Sequence, residues 1–368
     1  MSPADVRPAI VGRSRRSDAP AVAVVIVLGA LLAACAPPPA RAGARALDPP
    51  PLPAPIANNA VAAVRGSAGW TLLSTLGIDS TKIWSGVTTT SYRWDEGAPA
   101  WREIAPPPGP GRLAATAQTV GALVYVLGGY TVAADGAERS VPEVDVYDPV
   151  AETWRRAAPI PIPVDDAVSG VWRDSLIYLV SGWHDTDNEA AVQVYDPAND
   201  AWAAATPIPG PPVFGHAGGI SGDAIVYVDG TRVDRDPRAF RIEPSSWIGR
   251  IDPTRPSEIA WERLPDHPGP PLYRAAAIGA GDRVVFAGGS DNPYNFDGVG
   301  YDGRPSEPSA AVFAYDVVAN AWLEAADLEV ATMDHRNLVA ADGRLYSIGG
   351  MVAGQTVTTR VADVRFDP

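Results

Sequence analysis

The sequence predicts an all-β fold, a six-bladed β-propeller with four-stranded blades, over residues 58–368. The first observation is a repeat in which an aspartate stands six residues before a tryptophan; it recurs at Asp95/Trp101, Asp148/Trp154, Asp196/Trp202 and Asp316/Trp322. The second is a set of apolar runs that end in glycine between these markers, such as LVYVLGG and RVVFAGG. A repeat of roughly 50 residues that carries several short strands is typical of propellers.

Each repeat is predicted to supply four strands. Apolar runs of this kind are buried on both faces of a sheet, and a terminal glycine permits a positive φ or a close backbone approach. We therefore expect an outer-ring first strand, the apolar inner strand, a strand that carries Tyr-Asp, and an outer strand that carries tryptophan. The segment KIWSGV, which ends at Val87, is interpreted as a degenerate first apolar strand, and Asp252 to Trp261 as a stretched fifth copy of the marker.

The last copy of the repeat, VRFDP, reaches Asp367 and has no tryptophan strand after it. The ring is therefore predicted to be closed by an N-terminal strand, which the final blade borrows from the segment near Asn58 to Val64. The repeated aspartates and tryptophans are interpreted as structural, because aspartate accepts backbone hydrogen bonds in turns and tryptophan covers the edge of a blade.

Residues 1–35 have the pattern of a lipoprotein signal peptide. Four arginines precede an apolar run, residues 21–34, which is too short to span a bilayer. The run ends in the lipobox LAAC, whose last residue, Cys35, is the predicted lipidation site. Residues 36–57 are rich in proline and alanine and are interpreted as a tether. We expect an extracytoplasmic, membrane-anchored lipoprotein on the periplasmic face or the cell surface; an export signal without lipidation is the alternative.

Composition excludes several classes of site. Cys35 is the only cysteine, so the folded body has no disulfide, no thiol nucleophile and no cysteine-bound zinc or iron–sulfur centre. The net charge of −14, without a cluster of basic residues after the signal peptide, argues against nucleic acid as a partner. Motifs of serine hydrolases, zincins and nucleotide enzymes are missing from the sequence. We predict no metal, no cofactor and a monomer.

The order Gly-Gly, Tyr-Asp and Trp at this spacing resembles the kelch repeat, and the resemblance covers residues 58–368. Among kelch propellers, the six-bladed layout and the export signal resemble the bacterial N-acetylneuraminate epimerase family, the sialic-acid mutarotases. Arg112 matches an arginine that precedes the second inner strand of that family, whereas Thr231 stands where the family has its general base, a glutamate. Galactose oxidase, another kelch enzyme, needs a Tyr–Cys cross-link beside copper, for which this chain has no cysteine in its body.

The loops that lead into successive blades should meet on one face around the central channel, so positions that differ there between repeats are the best site candidates. Those candidates are Arg112, Asp166, His216, Arg274, His335 and Arg336. Asp166, His216 and His335 are predicted to move protons. Arg112, Arg274 and Arg336 are predicted to bind the carboxylate or hydroxyl groups of a ligand. Loop charges that are solvated or paired with each other are the alternative interpretation.

An insertion, residues 288–309, follows the fifth inner strand. Its Tyr294, Phe296 and Tyr301 are candidates for stacking on a sugar ring; a self-packed Ω-loop is the alternative. The aspartates of the insertion match no dedicated calcium loop. The segment HDTDNE after the third inner strand, which begins at His184, is interpreted as a solvated hairpin.

Two functions from different classes follow. One is an exported propeller that binds a small polar or anionic, carbohydrate-like ligand and acts as a sugar mutarotase or epimerase. The other is a non-enzymatic module that binds a protein or glycan of the cell envelope.

Overall fold

The predicted six-bladed propeller is confirmed by a computed structural model, which describes residues 47–235 and 238–366. Blade 1 consists of Ala60–Gly66, Gly69–Thr75, Ser91–Asp95 and Arg102–Ile104. Blade 2 consists of Thr116–Val120, Leu123–Leu127, Val144–Asp148 and Thr153–Arg156. Blade 3 consists of Val168–Trp172, Leu176–Val180, Val192–Asp196 and Ala201–Ala205. Blade 4 consists of Ala217–Ser221, Ala224–Val228, Ser246–Asp252 and Arg255–Leu264. Blade 5 consists of Ala276–Ala280, Arg283–Ala287, Val312–Asp316 and Ala321–Glu324. Blade 6 consists of Val339–Ala341, Arg344–Ile348 and Val361–Val364.

Within every blade the strands are antiparallel and lie in chain order. The second and third strands are joined by extended loops, four of which form short hairpins: Tyr130–Val132 with Glu138–Ser140, Trp183–His184 with Asp187–Asn188, Thr231–Arg235 with Arg238–Ile242, and Met351–Val352 with Thr356–Val357. Two short 3₁₀ helices, Trp84–Gly86 and Ala353–Gln355, complete the elements of the described residues. Neither of these helices has the length and hydropathy needed to cross a bilayer.

The first strand of each blade lies innermost, so the predicted outer-ring position of this strand is wrong. First strands line a central channel of about 190 Å³. They are rich in small residues because strands approach closely at the axis: a Cβ at Gly279 would lie 1.7 Å from the carbonyl oxygen of Ile220. The first strands of neighbouring blades contact each other all around, including those of blades 6 and 1, so the ring is closed.

The apolar runs form the second strands of blades 2 to 6, as predicted. In blade 1 this strand is Gly69–Thr75, and KIWSGV instead forms a loop that contains the 3₁₀ turn, so that assignment is wrong. The last five residues of GWTLLST are buried, as expected for a second strand covered on both faces, whereas Ile83 and Trp84 of KIWSGV are exposed. At the end of the second strand of blade 2, Gly129 has φ 95°, and a Cβ there would lie 2.5 Å from the carbonyl oxygen of Leu113.

The repeated tryptophans fix each blade to the one before it. Each indole Nε1 donates to a carbonyl oxygen in the segment that leaves the preceding blade: Trp154 to Ala105 at 2.7 Å, Trp202 to Ala158 at 2.9 Å, Trp261 to Thr206 at 3.2 Å and Trp322 to Pro265 at 2.9 Å. The repeated aspartates cap turns, since Asp148, Asp196 and Asp316 each accept two backbone N–H groups. Their structural role is that predicted from the repeat.

The predicted closing strand is not formed by the segment near Asn58 to Val64. Residues 60–66 pair with Gly69–Thr75 as the first strand of blade 1, and blade 6 has three strands within the described residues. Closure uses the preceding segment, residues 47–56, which the sequence assigns to the tether. Its Leu52 N donates to Thr359 O at 2.8 Å, and Trp101 of blade 1 donates to Pro50 O at 2.7 Å. The three apolar side chains Leu47, Leu52 and Ile56 bury this segment against blades 6 and 1.

Candidate functional site

Six turns, one leading into each blade, meet at the channel axis. The residue before each turn forms an isolated β-bridge with the loop after the second strand, as in Asp165 with Trp183 and Phe214 with Thr231. The turn residues all have positive φ: Asn58, Ala114, Asp166, Gly215, Arg274 and Asp334. Backbone bonds link neighbouring turns, for example Gly215 N to Asp166 O and Arg274 N to Gly215 O, both 2.8 Å. These turns place side chains from different blades next to each other.

A substitution at Gly215 tests how closely the turns pack at the axis. A Cβ at this position would lie 2.0 Å from the ring of Tyr273, whereas Gly222, which also has a positive φ, has open space around its Cα. We expect Gly215→Ala to lower the free energy of unfolding by about 2–3 kcal/mol, because strain and overpacking add. The matched control Gly222→Ala should lose only about 1 kcal/mol. Urea unfolding measures both, and equal losses would contradict close packing at the axis.

Four of the side chains at the axis form a buried charge cluster, which we call the axial charge cluster: Asp166, Arg274, Asp334 and Arg336. Arg274 binds Asp166 through two bonds, Nε to Oδ1 at 3.0 Å and Nη2 to Oδ2 at 2.5 Å, and its Nη1 lies 3.2 Å from Asp334 Oδ1. Arg336 Nη2 lies 2.6 Å from Asp166 Oδ1. Both arginines and both aspartates are buried.

The cluster is electrically balanced and joins blades 3, 5 and 6. Asn58 extends it to blade 1, since its Nδ2 donates to Asp334 at 3.1 Å and its Oδ1 accepts from Arg336 at 2.9 Å. Burial alone would lower the pKa of Arg274, but the carboxylates of Asp166 and Asp334 raise it well above its usual value. Arg274 is therefore a permanent cation that holds two carboxylates at the axis.

Next to this cluster lies a cavity of about 190 Å³. Five aromatic side chains from blades 2 to 5 line it: Tyr130, Trp183, Phe214, Phe240 and Tyr301. Ring centroids are 5.2 Å apart for Trp183 and Phe214, and 4.0 Å apart for the stacked pair Phe240 and Tyr301. The polar lining consists of Glu138, Arg139, Ser140, Asp165, Asp166, Asp185, Arg274 and Asn295. An aromatic wall that faces several polar groups is the usual composition of a small-molecule site.

Asp165 is the most perturbed carboxyl group of this cavity. It is 3% exposed, and Ser140 Oγ donates to its Oδ2 at 2.6 Å. Ser140 Oγ accepts from the backbone N of Asp185 at 3.1 Å, which directs the serine hydrogen toward Asp165. Within the described residues, Oδ1 of Asp165 has no hydrogen-bond partner. Burial, with the neighbouring Asp166 carboxylate, raises the pKa of Asp165 well above its usual value, so this carboxyl group keeps its proton to a higher pH than an ordinary aspartate.

Glu138 is a second carboxyl group on the wall. Asn295 Nδ2 donates to its Oε1, and Tyr130 Oη donates to Asn295 Oδ1 at 3.0 Å. Partial burial raises the pKa of Glu138. The cavity therefore holds two carboxyl groups with raised pKa values, of which Glu138 is the more exposed.

The structure brings some of the predicted site residues to this cavity and places others elsewhere. Asp166, Arg274 and Tyr301 line it, and Arg336 supports it through the axial charge cluster. Tyr294 is buried behind it, with the Arg274 guanidinium 5.1 Å from its ring centre.

Arg112 lies outside the cavity lining and pairs with Asp145 at 2.8 Å, where burial lowers its pKa. Arg112, Arg274 and Arg336 are thus all engaged by aspartates of the same chain, as in the alternative interpretation of paired loop charges.

The two predicted histidines also lie outside the lining. His216 Nε2 donates to the carbonyl oxygen of Val180 at 3.0 Å, and His335 Nε2 lies 2.8 Å from the hydroxyl of Thr332. Burial lowers the pKa of each to about 4, so both are neutral at physiological pH and pack against their neighbours. Cys35, the predicted lipidation site, lies outside the described residues.

The insertion in blade 5 is both self-packed and part of the site. Asp302 accepts from Asn292 Nδ2 at 2.8 Å and from Arg304 Nε at 2.7 Å within the loop. Asn295 and Tyr301 of the same loop line the cavity. Phe296, the remaining stacking candidate, packs against the apolar cluster behind it. Among the residues that the structure describes, no group of three His, Cys, Asp or Glu side chains could hold a metal ion.

The sequence also contains a signal for Asp165, although this residue is not among the predicted site candidates. The residues just before the six turns are Ala57, Leu113, Asp165, Phe214, Tyr273 and Met333. Five of them are apolar and pack together under the loops, so an aspartate at this position is the exception. Aligning the repeats on the turn itself, rather than on the nearest charge, would have selected it.

Comparison with known proteins agrees with the fold. The Kelch motif family matches residues 111–161, which include all four strands of blade 2. A solved structure described as "Structure of YjhT" superposes with a TM-score of 0.67 and 18% sequence identity, and the match covers 85% of this chain and 95% of that one. No curated protein matches the sequence. Since 648 solved chains match the fold, the fold alone does not select a function.

Proposed function

We propose, from the premise that this chain is a kelch-repeat propeller, that it binds a single sugar ring in the aromatic-lined cavity and catalyses exchange between the two anomers. The observation that carries the proposal is the Asp165 carboxyl group, which has a raised pKa and one free oxygen on the cavity wall. The sequence resemblance to the sialic-acid mutarotase family supports the same class of activity, and the YjhT structure shows that the fold is shared.

The cavity matches a monosaccharide in size and chemistry. Its volume of about 190 Å³ is smaller than the roughly 300–1,000 Å³ of sites for drug-sized ligands. The partly exposed ring of Tyr301 offers apolar surface for the C–H face of a sugar, and carboxyl and amide groups offer hydrogen bonds to hydroxyl groups. The three arginines predicted to bind an anion are neutralised by aspartates, which favours a neutral sugar over a sugar acid.

Asp165 and Glu138 can supply the two proton transfers of anomer exchange. Asp165 donates its proton to the ring oxygen while ionised Glu138 removes the proton of the anomeric hydroxyl, so the ring C–O bond breaks and an open-chain carbonyl forms. Rotation of that carbonyl and the reverse transfers close the ring on the other face. These groups replace the glutamate of the mutarotase family, whose place is taken by buried Thr231.

Anomer exchange is measured directly by NMR magnetisation exchange with the purified protein. We expect faster exchange for at least one of glucose, N-acetylglucosamine and N-acetylneuraminate, and a loss of that acceleration in Tyr301→Ala, which removes one face of the cavity. An alanine substitution at exposed Val150, Val150→Ala, is the surface control. Binding without acceleration would instead support the non-enzymatic interaction module, and no binding would refute a carbohydrate function.

We also propose that the protein is exported and anchored through a lipid on Cys35. The basic residues, the short apolar run and the lipobox LAAC support this placement. In a bacterial host, the full chain should incorporate labelled palmitate and sediment with membranes. Cys35→Ser should abolish labelling, and unchanged labelling in this variant would contradict the assignment.

A further inference from the structure

Glu138 is held by side chains of two blades, in a set of hydrogen bonds that we call the Asn295 network: Tyr130, Asn295 and Glu138. Tyr130 and Glu138 belong to the hairpin of blade 2, whereas Asn295 belongs to the insertion of blade 5. Tyr130 Oη donates to Asn295 Oδ1 at 3.0 Å, and Asn295 Nδ2 donates to Glu138 Oε1. Within the described residues, Oε2 of Glu138 takes part in no hydrogen bond. One carboxyl oxygen is therefore fixed, and the other can accept a proton from a ligand.

The two ends of the Asn295 network fix the orientation of the amide. An ionised carboxylate only accepts hydrogen bonds, so Glu138 selects the Nδ2 group of Asn295 and not its Oδ1 atom. Burial raises the pKa of Tyr130 well above its usual value, so its hydroxyl keeps its hydrogen and donates to Oδ1. The amide is thus held with its donor toward Glu138, and a hydrogen bond donated to a carboxylate favours the ionised form.

The insertion that carries Asn295 is fixed by contacts from three blades. Lys82 Nζ of blade 1 and Gln355 Nε2 of blade 6 donate to backbone carbonyl oxygens of the insertion, at 2.8 Å and 3.1 Å. Arg274 Nη1 donates to the carbonyl oxygen of Asn295 itself. The backbone at Asn295 is therefore tied to the axial charge cluster, and its side chain reaches across to the hairpin of blade 2. A residue held in this way can position a carboxyl group of another blade.

We propose that Asn295 is a positioning residue for Glu138, whose amide orients the carboxylate and keeps it ionised for the removal of the anomeric proton. The inference rests on the proposed function, which assigns Glu138 the role of the base. The proton of the anomeric hydroxyl passes to Oε2 of Glu138, while the amide of Asn295 remains the donor to Oε1 and transfers no proton. The insertion of blade 5 thus controls the protonation of a carboxyl group that blade 2 supplies.

Other groups of the cavity also act on Glu138. Its pKa is raised by burial and by the Asp166 carboxylate, and is lowered by the hydrogen bond from Asn295 and by the Arg274 guanidinium. The charged or titratable groups that share the cavity with Glu138 are Tyr130, Arg139, Asp165, Asp166, Asp185, Arg274 and Tyr301. Replacement of Asn295 changes none of these charges. A change in the titration of Glu138 in such a variant therefore reports the lost hydrogen bond, and its expected direction is toward higher pH.

Carboxyl ¹³C NMR of the glutamate-labelled full chain measures this titration without reference to activity, with Glu138→Gln to assign the signal. We expect the midpoint of Glu138 to move to higher pH in Asn295→Ala and, by a smaller shift, in Tyr130→Phe, which keeps the ring but lets the amide rotate. Asn199→Ala removes an amide that donates to Asp196 Oδ2 at 2.7 Å on a blade edge, and this matched control should leave the midpoint unchanged. An unchanged midpoint in Asn295→Ala, or in Tyr130→Phe where the alanine variant does not fold, overturns the inference.

The pH profile of anomer exchange is the second measurement. Because Glu138 acts while ionised, Asn295→Ala should lower the rate at least about threefold on the acid side of the profile and leave the rate at higher pH unchanged. An equal loss at every pH would mean that Asn295 has a merely structural role, and would overturn the inference. The two proposals fail separately, since a shifted Glu138 midpoint in a chain without exchange activity overturns the proposed function, whereas exchange with an unshifted midpoint overturns only the role of Asn295.

Discussion

Arg274→Met is expected to lower the free energy of unfolding by about 3–5 kcal/mol, the usual loss when one partner of a buried ion pair is removed. Arg274 makes two bonds to Asp166 and one to Asp334, and all three side chains are buried. Methionine fills similar space but leaves two carboxylates with Arg336 as their remaining cation. Arg336 lies 2.6 Å from Asp166 but 3.8 Å from Asp334, so Asp334 loses most of its compensation.

A matched substitution at Arg112, the other fully buried arginine, distinguishes the contribution of the axial charge cluster from the effect of removing any buried arginine. Arg112→Met removes an ion pair with Asp145, yet Asp145 keeps a second partner, Arg156, whose Nε lies 2.8 Å from its Oδ1. We expect a clearly smaller loss for Arg112→Met in the same urea titration. Asp166→Asn in the Arg274→Met background should recover part of the stability, because it removes an uncompensated charge. Equal losses for the two arginines, with no recovery, would show that the axial charge cluster does not hold the blades together.

The fold was predictable from sequence because its markers serve packing in every repeat. Trp154 and Trp202 each bond to the preceding blade, and Asp148 caps its turn, so selection for the same contact keeps the same residue. Two of the predictions that failed, the first apolar strand and the closing strand, concern parts where a repeat lacks its marker. Blade 1 has no Gly-Gly after its second strand, and the described part of blade 6 contains no repeat tryptophan, so neither the first apolar strand nor the closure between blades 6 and 1 carried a pattern. The outer-ring position of the first strands failed in every blade, because the repeat pattern does not show which strand lies at the axis.

The site was only partly predictable, because a charged residue in a loop sequence does not reveal which groups its side chain contacts. Asp166 and Arg274 were selected because they differ between repeats, and they do line the cavity. The same criterion selected Arg112, which pairs with Asp145 of blade 2, and His216, which bonds to Val180 of blade 3. Partners such as Ser140 lie far away in sequence on another blade. Only the three-dimensional arrangement shows that Ser140 leaves one oxygen of Asp165 free.

Asp165→Asn is expected to lower the rate of anomer exchange by about 10²–10⁴-fold, the usual contribution of a positioned acid or base. The amide keeps the shape of the side chain and can accept the Ser140 hydrogen bond, so the fold should persist. Asp148→Asn makes the same chemical change at a repeat aspartate on a blade edge and should leave exchange unchanged. A rate drop of less than about threefold in Asp165→Asn would remove this residue from the mechanism.

The pH dependence distinguishes an acid from a merely structural carboxyl group. Asp165 acts while protonated, so exchange should decline as the pH rises through its raised pKa, and the residual activity of Asp165→Asn should lack this decline.

The contribution of Asp165 to the free energy of unfolding should also decline as the pH rises. The folded protein holds the Asp165 proton more tightly than the unfolded chain, so this group favours folding most at low pH. That contribution is lost as the pH rises from about 3.9, the ordinary aspartate pKa, through the folded value. Asp165→Asn should remove this part of the pH dependence in urea titrations. A variant that lost activity but retained both pH dependences would place the essential acid elsewhere on the cavity wall, with Glu138 as the group to replace next.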